Sequence, residues 1–478
     1  MNPTVAFVTL GCAKNSVDSE KAMGALAADG FSLTTDPTAA EVVIINTCGF
    51  IEAAREESID EILQIAELKE SGRLRWLVVG GCLAARYRDD LEAELPEVDR
   101  FLGLLDPQEV RAAGREATTR LGFGNADPGS ESTALDRDIP ALPEGIPDIP
   151  RILTTPAHFA YLKIAEGCGN ACSFCAIPLI RGGTVSVPPD ELVSEAAALA
   201  GSGVKELIVI AQDTTLYGYD LRGGSDSVGE GGGDGGDGGD VAALLQRLER
   251  EVEGLTWLRL MYAYPTRVTD ALIEVMSASS TIVPYLDLPV QSGSDNILKA
   301  MRRGMGRTAM TDLIHSIRER VAGITLRTSI ITGFPGEGER EHRETLDLIR
   351  EIRFERLGVF TYSPEEGTRA FDLTDTVPEE EKERRAAEIL EVQRGIMREI
   401  NDALVGEVVD VMLDESLEDL APFSWLGRTS GDAPEVDQGV YLELPESDGP
   451  EAEYHPGEIV RAEIVGTIDF DLEGVIVG

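Results

Sequence analysis

The stretch AYLKIAEGCGNACSFCAIP, residues 160–178, decides the fold. It opens as an apolar run of strand type and breaks directly into Cys168-x3-Cys172-x2-Cys175. A strand that runs into a cysteine loop sets three thiols at its carboxyl end, the edge where parallel α/β sheets build their sites. Five further runs of the same kind follow: ELIVIAQD (206–213), WLRLMYAY (257–264), VPYLDLPV (283–290), TLRTSIITG (325–333) and RLGVFTYS (356–363). Helical sequence separates them. Residues 154–395 are therefore expected to form a (βα)6 partial barrel with the cysteine loop on its working rim.

Upstream, residues 1–103 show the same alternation on a smaller scale. VAFVTL (5–10), EVVIIN (41–46) and LRWLVVG (74–80) are continuous apolar runs of the kind buried in a parallel sheet. Each ends at a cysteine turn: TLGCAKN at Cys12, INTCGF at Cys48 and VGGCLA at Cys82. Loops after parallel strands gather on one edge, so an N-terminal parallel α/β domain would bring these three cysteines together despite spacings of 36 and 34 residues. The fold class is thus α/β, with two sites of three cysteines each.

Elsewhere the pattern changes. Residues 104–153 lose the alternation and, with NADPGSESTALDRDIPALPEGIPDIP, read as a linker. GGSDSVGEGGGDGGDGGD, 223–240, cannot bury a core and reads as a disordered insertion in the barrel. A charged helix (378–402) leads to residues 399–478, whose short β-type runs suggest a small antiparallel β-barrel.

Composition excludes some classes. No apolar run is long enough to span a membrane, and MNPTVAFVTLGC has no export-signal pattern, so a cytoplasmic location with no membrane partner is expected. In a reducing compartment the cysteines are metal ligands rather than disulfides. The formal charge is −44, from 86 acidic and 42 basic residues, of which only seven are lysine. A field of that sign repels phosphates and attracts basic proteins. It equally suits a protein solvated in high salt, where screening removes the repulsion.

Thiolates select zinc, copper(I) or iron–sulfur clusters. Structural zinc takes four ligands and ferredoxin clusters four cysteines, so each triad is one ligand short. A cluster held by three cysteines leaves one iron open to a small molecule. Taken alone, the first triad also fits buried structural cysteines on strand ends.

Cys168-x3-Cys172-x2-Cys175, with Phe174 before the last cysteine, resembles the signature of the radical S-adenosylmethionine enzymes. LGCAKNSVDSE, NTCGF and GGC resemble the methylthiotransferases within that superfamily, and the C-terminal barrel resembles their TRAM domain. The resemblance implies two 4Fe–4S clusters. Cys168, Cys172 and Cys175 would hold the one that cleaves S-adenosylmethionine; Cys12, Cys48 and Cys82 would hold an auxiliary cluster that carries the sulfur or methylthio group. Reductive cleavage would give methionine and a 5′-deoxyadenosyl radical, which takes hydrogen from an unactivated substrate carbon. An external electron donor such as flavodoxin or ferredoxin is implied. An N-terminal cluster used only for electron relay is the competing role.

Other residues are candidates for cofactor contact: Gly333, Pro335 and Gly336 after the fifth barrel strand, Gln212 and Asp213 after the second, and Arg327 within the fifth. A plain strand-to-helix turn explains the glycines equally. Two branches of the family differ in substrate. HFAYLKIAEGC, QDTTLYG, YSPEEGTRA and GRTSGDAPEVD resemble the branch that modifies an aspartate β-carbon of small-subunit ribosomal protein twelve. LPVQSGSD (288–295), with Ser292, resembles the branch acting on isopentenyladenosine in tRNA. Residues 401–478 carry 20 acidic residues against Arg428 and Arg461, which favours a basic ribosomal protein over tRNA.

If the acidity is an adaptation to salt, the melting temperature should rise from low to molar salt. A protein stable at low salt and lost only above molar salt would contradict that origin.

Overall fold

The computed structural model describes residues 3–70, 72–123, 151–221, 240–374, 377–417, 420–445 and 454–477. The first domain is a five-stranded, wholly parallel sheet of order β2-β1-β3-β4-β5: β1 (Thr4–Thr9), β2 (Ser32–Thr34), β3 (Val42–Thr47), β4 (Trp76–Gly81) and β5 (Arg100–Phe101). Its strands are buried on both faces, which is why they read as unbroken apolar runs. Val5, Val42, Ile44 and Val78 meet α1 (Ala13–Ala28) and α4 (Pro107–Arg120) on one side. Ala6, Val43, Ile45 and Val79 meet α2 (Glu52–Glu67) and α3 (Cys82–Glu94) on the other.

The fourth helix corrects the linker reading. Pro107 opens α4, Asp106 caps it by accepting from the backbone of Gln108 (2.8 Å) and Glu109 (3.2 Å), and Val110, Ala113 and Ala117 bury against α1. Its apolar stripe is mostly alanine, too weak to stand out in the sequence. The remainder of the expected linker, 124–150, lies outside the described residues, as do 223–239 of the Gly/Asp insertion.

The second domain is a six-stranded parallel sheet in strict chain order: β6 (Phe159–Lys163), β9 (Glu206–Ile210), β10 (Trp257–Leu260), β11 (Ile282–Asp287), β12 (Thr325–Thr332) and β13 (Arg356–Thr361). Between β6 and β9 lie the short pair β7 (Ala165–Glu166) and β8 (Val185–Ser186), with α5 (Ile177–Arg181) and α6 (Pro189–Gly201). The later helices are α7 (Val241–Glu251), α8 (Asp270–Ala278), α9 (Asp295–Ala300), α10 (Arg307–Arg320) and α11 (Glu339–Ile352). Ala160, Leu162, Leu207, Val209, Leu258 and Leu286 pack outward on these helices. The alternate positions Phe159, Tyr161, Ile208, Trp257 and Tyr285 point to the concave side, where Val17 of α1 and Met412 and Ala433 of the last domain join them. Side chains from both flanking domains therefore complete the barrel core.

Helix α12 (Glu379–Asp402) carries the chain onward. The boundary read at residues 395–399 falls inside this one helix. Its Ile389 and Ile396 pack in the barrel core, while Asn401 donates to the carbonyl of Phe470 (3.1 Å) in the last domain. That domain is a closed barrel of β14 (Val408–Ser416), β15 (Trp425–Thr429), β16 (Val440–Glu443), β18 (Asp471–Ile476) and β17 (Ile459–Ile468), in that order around the ring. It is not wholly antiparallel, because β16 and β18 run parallel. A closed ring with an odd number of strands must contain at least one such pair.

The last domain is locked to the second by buried charge. Glu206 of β9 pairs with Arg259 of β10 (2.6 Å) and with Arg428 of β15, and neither the carboxylate nor Arg259 has any exposure. Burial raises the Glu206 carboxyl, but the two guanidiniums more than offset this and hold it below the ordinary range. Glu206→Gln leaves buried Arg259 without a carboxylate partner and Arg428 with Asp414 (3.1 Å) alone. A loss of about 3–5 kcal/mol, read as a drop in melting temperature, is expected.

Candidate metal centres

The first centre forms where three strand ends meet helices. Cys12 caps α1, Cys48 follows β3 and Cys82 is the first residue of α3. Gly11, at φ +102°, lies so close to Cys48 that a Cβ there would sit 3.0 Å from the Cys48 Cβ and 3.2 Å from its Sγ. Only glycine permits that approach. Asn15, one turn into α1, ties the three loops together. Its Nδ2 donates to the carbonyls of Leu10 (2.7 Å) and Thr47 (3.2 Å), and its Oδ1 accepts from the Cys82 thiol (3.7 Å). Ser58 of α2 clamps Cys48 from behind, accepting from its N–H (3.0 Å) and donating to its carbonyl (2.9 Å).

The second centre lies on the loop after β6 and β7. Cys168 N–H donates to the Gly182 carbonyl (3.0 Å), and Cys175 N–H to the Cys172 carbonyl (3.3 Å). Arg303 Nη1 donates to Cys172 Sγ (3.5 Å), and the Tyr264 hydroxyl is 3.8 Å from the same sulfur. The loop after the fifth barrel strand joins from below: Phe334 is fully buried in a cluster with Met301, Tyr362 and Phe174 of the cysteine loop.

These thiols are buried in a way that suits metal ligation. Burial pushes Cys82 up to about 11 against the opposing pull of Arg181, Cys168 up to about 11 and Cys175 up to about 12; Cys48 is raised for the same reason. Such thiols shed their protons only when a cation takes the proton's place. Among the described residues no three His, Cys, Asp or Glu side chains converge as one metal ion requires. Each centre offers three thiolate donors, a soft all-sulfur set of the kind that holds iron–sulfur clusters.

Charged side chains that the sequence did not single out connect the centres. Arg181, six residues after Cys175, donates to Asn15 Oδ1 (2.7 Å), Asp18 Oδ2 (3.2 Å) and Glu166 Oε1 (2.7 Å). Lys163 of β6 pairs with Asp18 and with Glu166 (2.8 Å). Burial raises the Glu166 carboxyl, yet Lys163 and Arg181 outweigh it and hold the group at about 2. A second tie lies nearby: buried Glu365 accepts from Arg55 (2.5 Å) of α2 and Arg86 (2.7 Å) of α3. No sequence signal could have joined the pairs between domains, whose partners stand 145 to 310 residues apart.

The other candidates fall out unevenly. Gln212 Nε2 donates to Glu166 (3.1 Å), and its buried Oε1 has no hydrogen-bond partner among the described residues. Asp213 accepts from Asn170 (2.7 Å) and Arg267 (3.1 Å). Gly333, at φ +77°, presses against Lys382 of α12, whereas Gly336, at φ +90°, faces open space, and Pro335 is buried between them. Arg327 does face the barrel interior, but Asp287 and Asp437 (both 3.3 Å) occupy its guanidinium. Ser292 is buried against Thr345 of α11 (3.3 Å), a packing role.

With this geometry in place, three family models match: the uncharacterized protein family UPF0004 over residues 4–103, the radical SAM superfamily over 162–349 and a TRAM domain over 405–477. A protein of Anaeromyxobacter sp. (strain K), named ribosomal protein uS12 methylthiotransferase RimO, is 43% identical across 100% of this chain and 94% of its own length. One of the same name from Natranaerobius thermophilus is 41% identical, covering 98% of each chain. The chain belongs to the uS12 methylthiotransferase family. The radical S-adenosylmethionine methyltransferase TsrM of Kitasatospora setae, solved with cobalamin and a 4Fe–4S cluster, shares the fold at a TM-score of 0.53 and 13% identity, over 76% of this chain and 74% of that one. The family expected from the cysteine motifs is therefore the one found, and these relatives carry the protein-directed name rather than a tRNA-directed one. No helix among the described residues is long and apolar enough to cross a membrane.

In metal-free protein, exposed Cys12 should alkylate first with iodoacetamide at neutral pH. Cys175 should react last and accelerate as pH rises towards about 12, because its raised pKa keeps the thiolate scarce below that. Peptide mass mapping over time reads the order.

Proposed function

We propose that this chain adds a methylthio group to the β-carbon of an aspartate in ribosomal protein uS12, using S-adenosylmethionine and two 4Fe–4S clusters. The observation that carries this is the pair of three-thiol centres on two domains joined through one buried guanidinium, Arg181. When bound, the clusters would supply one-electron cleavage of S-adenosylmethionine at one centre and a sulfur donor at the other. Cys168, Cys172 and Cys175 would hold the first, Cys12, Cys48 and Cys82 the second. The chain's own work is to hold these groups at a fixed separation and keep them dry. Gln212, whose buried Oε1 has no partner among the described residues, and the Gly333–Gly336 turn, whose Phe334 packs with Phe174, would receive the cofactor. Arg327 is left out of this reading, because its charge is already neutralised.

The protein partner would be uS12, with reduction by an external one-electron carrier such as flavodoxin or ferredoxin, in the cytoplasm. Anaerobic reconstitution should give about eight irons per chain, from two cubanes. Replacing Cys12, Cys48 and Cys82 together by alanine should leave about four, keep 5′-deoxyadenosine formation and abolish the methylthio mass gain on uS12. A mass gain on tRNA alone, or tightly bound zinc at either centre, overturns the proposal.

A further inference from the structure

The region behind the second centre departs from the rest of this acidic surface. The segment LKAMRRGMG, 298–306, runs from α9 into the loop before α10 and backs directly onto the cysteine loop. Ser173 N–H donates to the Met301 carbonyl (3.0 Å), and Ser173 Oγ to the Ala300 carbonyl (2.8 Å). Arg303 reaches inward from the same turn to Cys172 Sγ (3.5 Å) and to the Pro289 carbonyl (2.6 Å). Lys299 and Arg302 point the other way and are exposed. They edge an open surface depression with Leu298, Met305 and Asp295, and the Asp295 carboxylate is turned to the backbone N–H of Arg307 (2.7 Å).

Most arginines here are paired with carboxylates, as 86 acidic residues would lead one to expect. Lys299, Arg302 and Arg303 form no ion pair among the described residues. Arg302 also holds a left-handed backbone, φ 59°, where glycine would be unstrained. Two exposed cations, Lys299 and Arg302, thus flank the turn whose carbonyls hold Ser173 of the cysteine loop, with Arg303 buried behind them and Asp295, among the described residues, the one carboxylate lining the same depression, on a chain whose net field repels anions.

Resting on the function proposed above, we infer that the Lys299–Arg302 face is the docking surface for an acidic one-electron carrier protein. An acidic carrier is repelled over most of this molecule and meets local attraction at a face whose backbone is hydrogen-bonded to the cysteine loop. Charge complementarity of this kind steers encounter and fixes orientation. The carrier gives up one electron and is oxidised; the centre behind the surface is reduced by one. No bond forms or breaks at the contact.

The test uses full-length, reconstituted protein and purified flavodoxin at low ionic strength, where screening is weakest. Lys299→Glu/Arg302→Glu should weaken flavodoxin binding at least tenfold by calorimetry and slow flavodoxin-driven reduction comparably. The neutral Lys299→Gln/Arg302→Gln pair should fall between. Dithionite, small and needing no dock, should drive 5′-deoxyadenosine formation equally in all three proteins. Unchanged flavodoxin affinity overturns the inference, as does an equal slowing with dithionite. Loss of ribosomal RNA binding with flavodoxin binding intact overturns it too, and would make the face a phosphate contact. If dithionite yields no 5′-deoxyadenosine even in the native protein, the proposed function fails instead.

Discussion

The arrangement depends on one buried charge network. Arg181 and Lys163 from the barrel meet Asp18 of the first domain and Glu166 beside the cysteine loop, with side-chain exposures of 2% for Arg181 and 9% for Asp18. Desolvating these charges is expensive, and the cost is recovered only while all partners are present and well placed. That makes the interface intolerant of sliding. Apolar packing alone would let two domains shift by a rotamer or a turn; a guanidinium shared by Asn15, Asp18 and Glu166 has one position. Since Asn15 also spans the loops of all three N-terminal cysteines, the separation of the centres is set by the same atoms that shape one of them.

The large negative charge looks different once its partners are known. Several carboxylates of the C-terminal domain are taken up by partners in the barrel, and Asp432 is fully buried. Asp432 accepts from Arg356 (2.5 Å), Asp437 from the Tyr285 hydroxyl (2.7 Å), and Glu435 from the Tyr161 hydroxyl (2.7 Å), all on the concave side of the barrel. Asp414 lies 2.7 Å from His158 Nε2. The acidity of this domain is therefore partly internal, and its formal charge overstates what a basic protein would meet.

The skeleton of the molecule was legible because period and punctuation are local. Continuous apolar runs marked buried parallel strands, and cysteines at strand ends marked the rim, so both triads and the six-stranded barrel could be read directly. What was hidden required distant partners or weak stripes. Helix α4 rests on alanines; β2 and β5 are only three and two residues long. Arg181, Arg303 and Glu365 are charged residues whose meaning lies wholly in what they touch. The diagnostic blocks show the same division. In LGCAKNSVDSE, Lys14 sits over the Tyr262 ring (2.9 Å to the centroid), Asp18 joins the Arg181 network and Glu20 pairs with Arg151 (2.6 Å). The block was recognisable as a signature, while its physical content, a domain interface, was not.

The loop at 430–437 blurs the idea of an accessory domain. It enters the concave face of the barrel, supplying the Ser430 carbonyl to Arg259 (2.9 Å), Asp432 to Arg356 and Asp437 to Arg327. In energetic terms Asp432 and Asp437 are the barrel's own counter-ions, delivered late in the chain. A ribosome-bound nascent chain that has finished its six strands has Glu206 for Arg259 and Asp287 for Arg327, but it still lacks the carboxylate of Arg356 and the second partners of the other two, over a half-made core. The barrel can reach its final state only after the last domain has emerged, so synthesis order and folding order run apart.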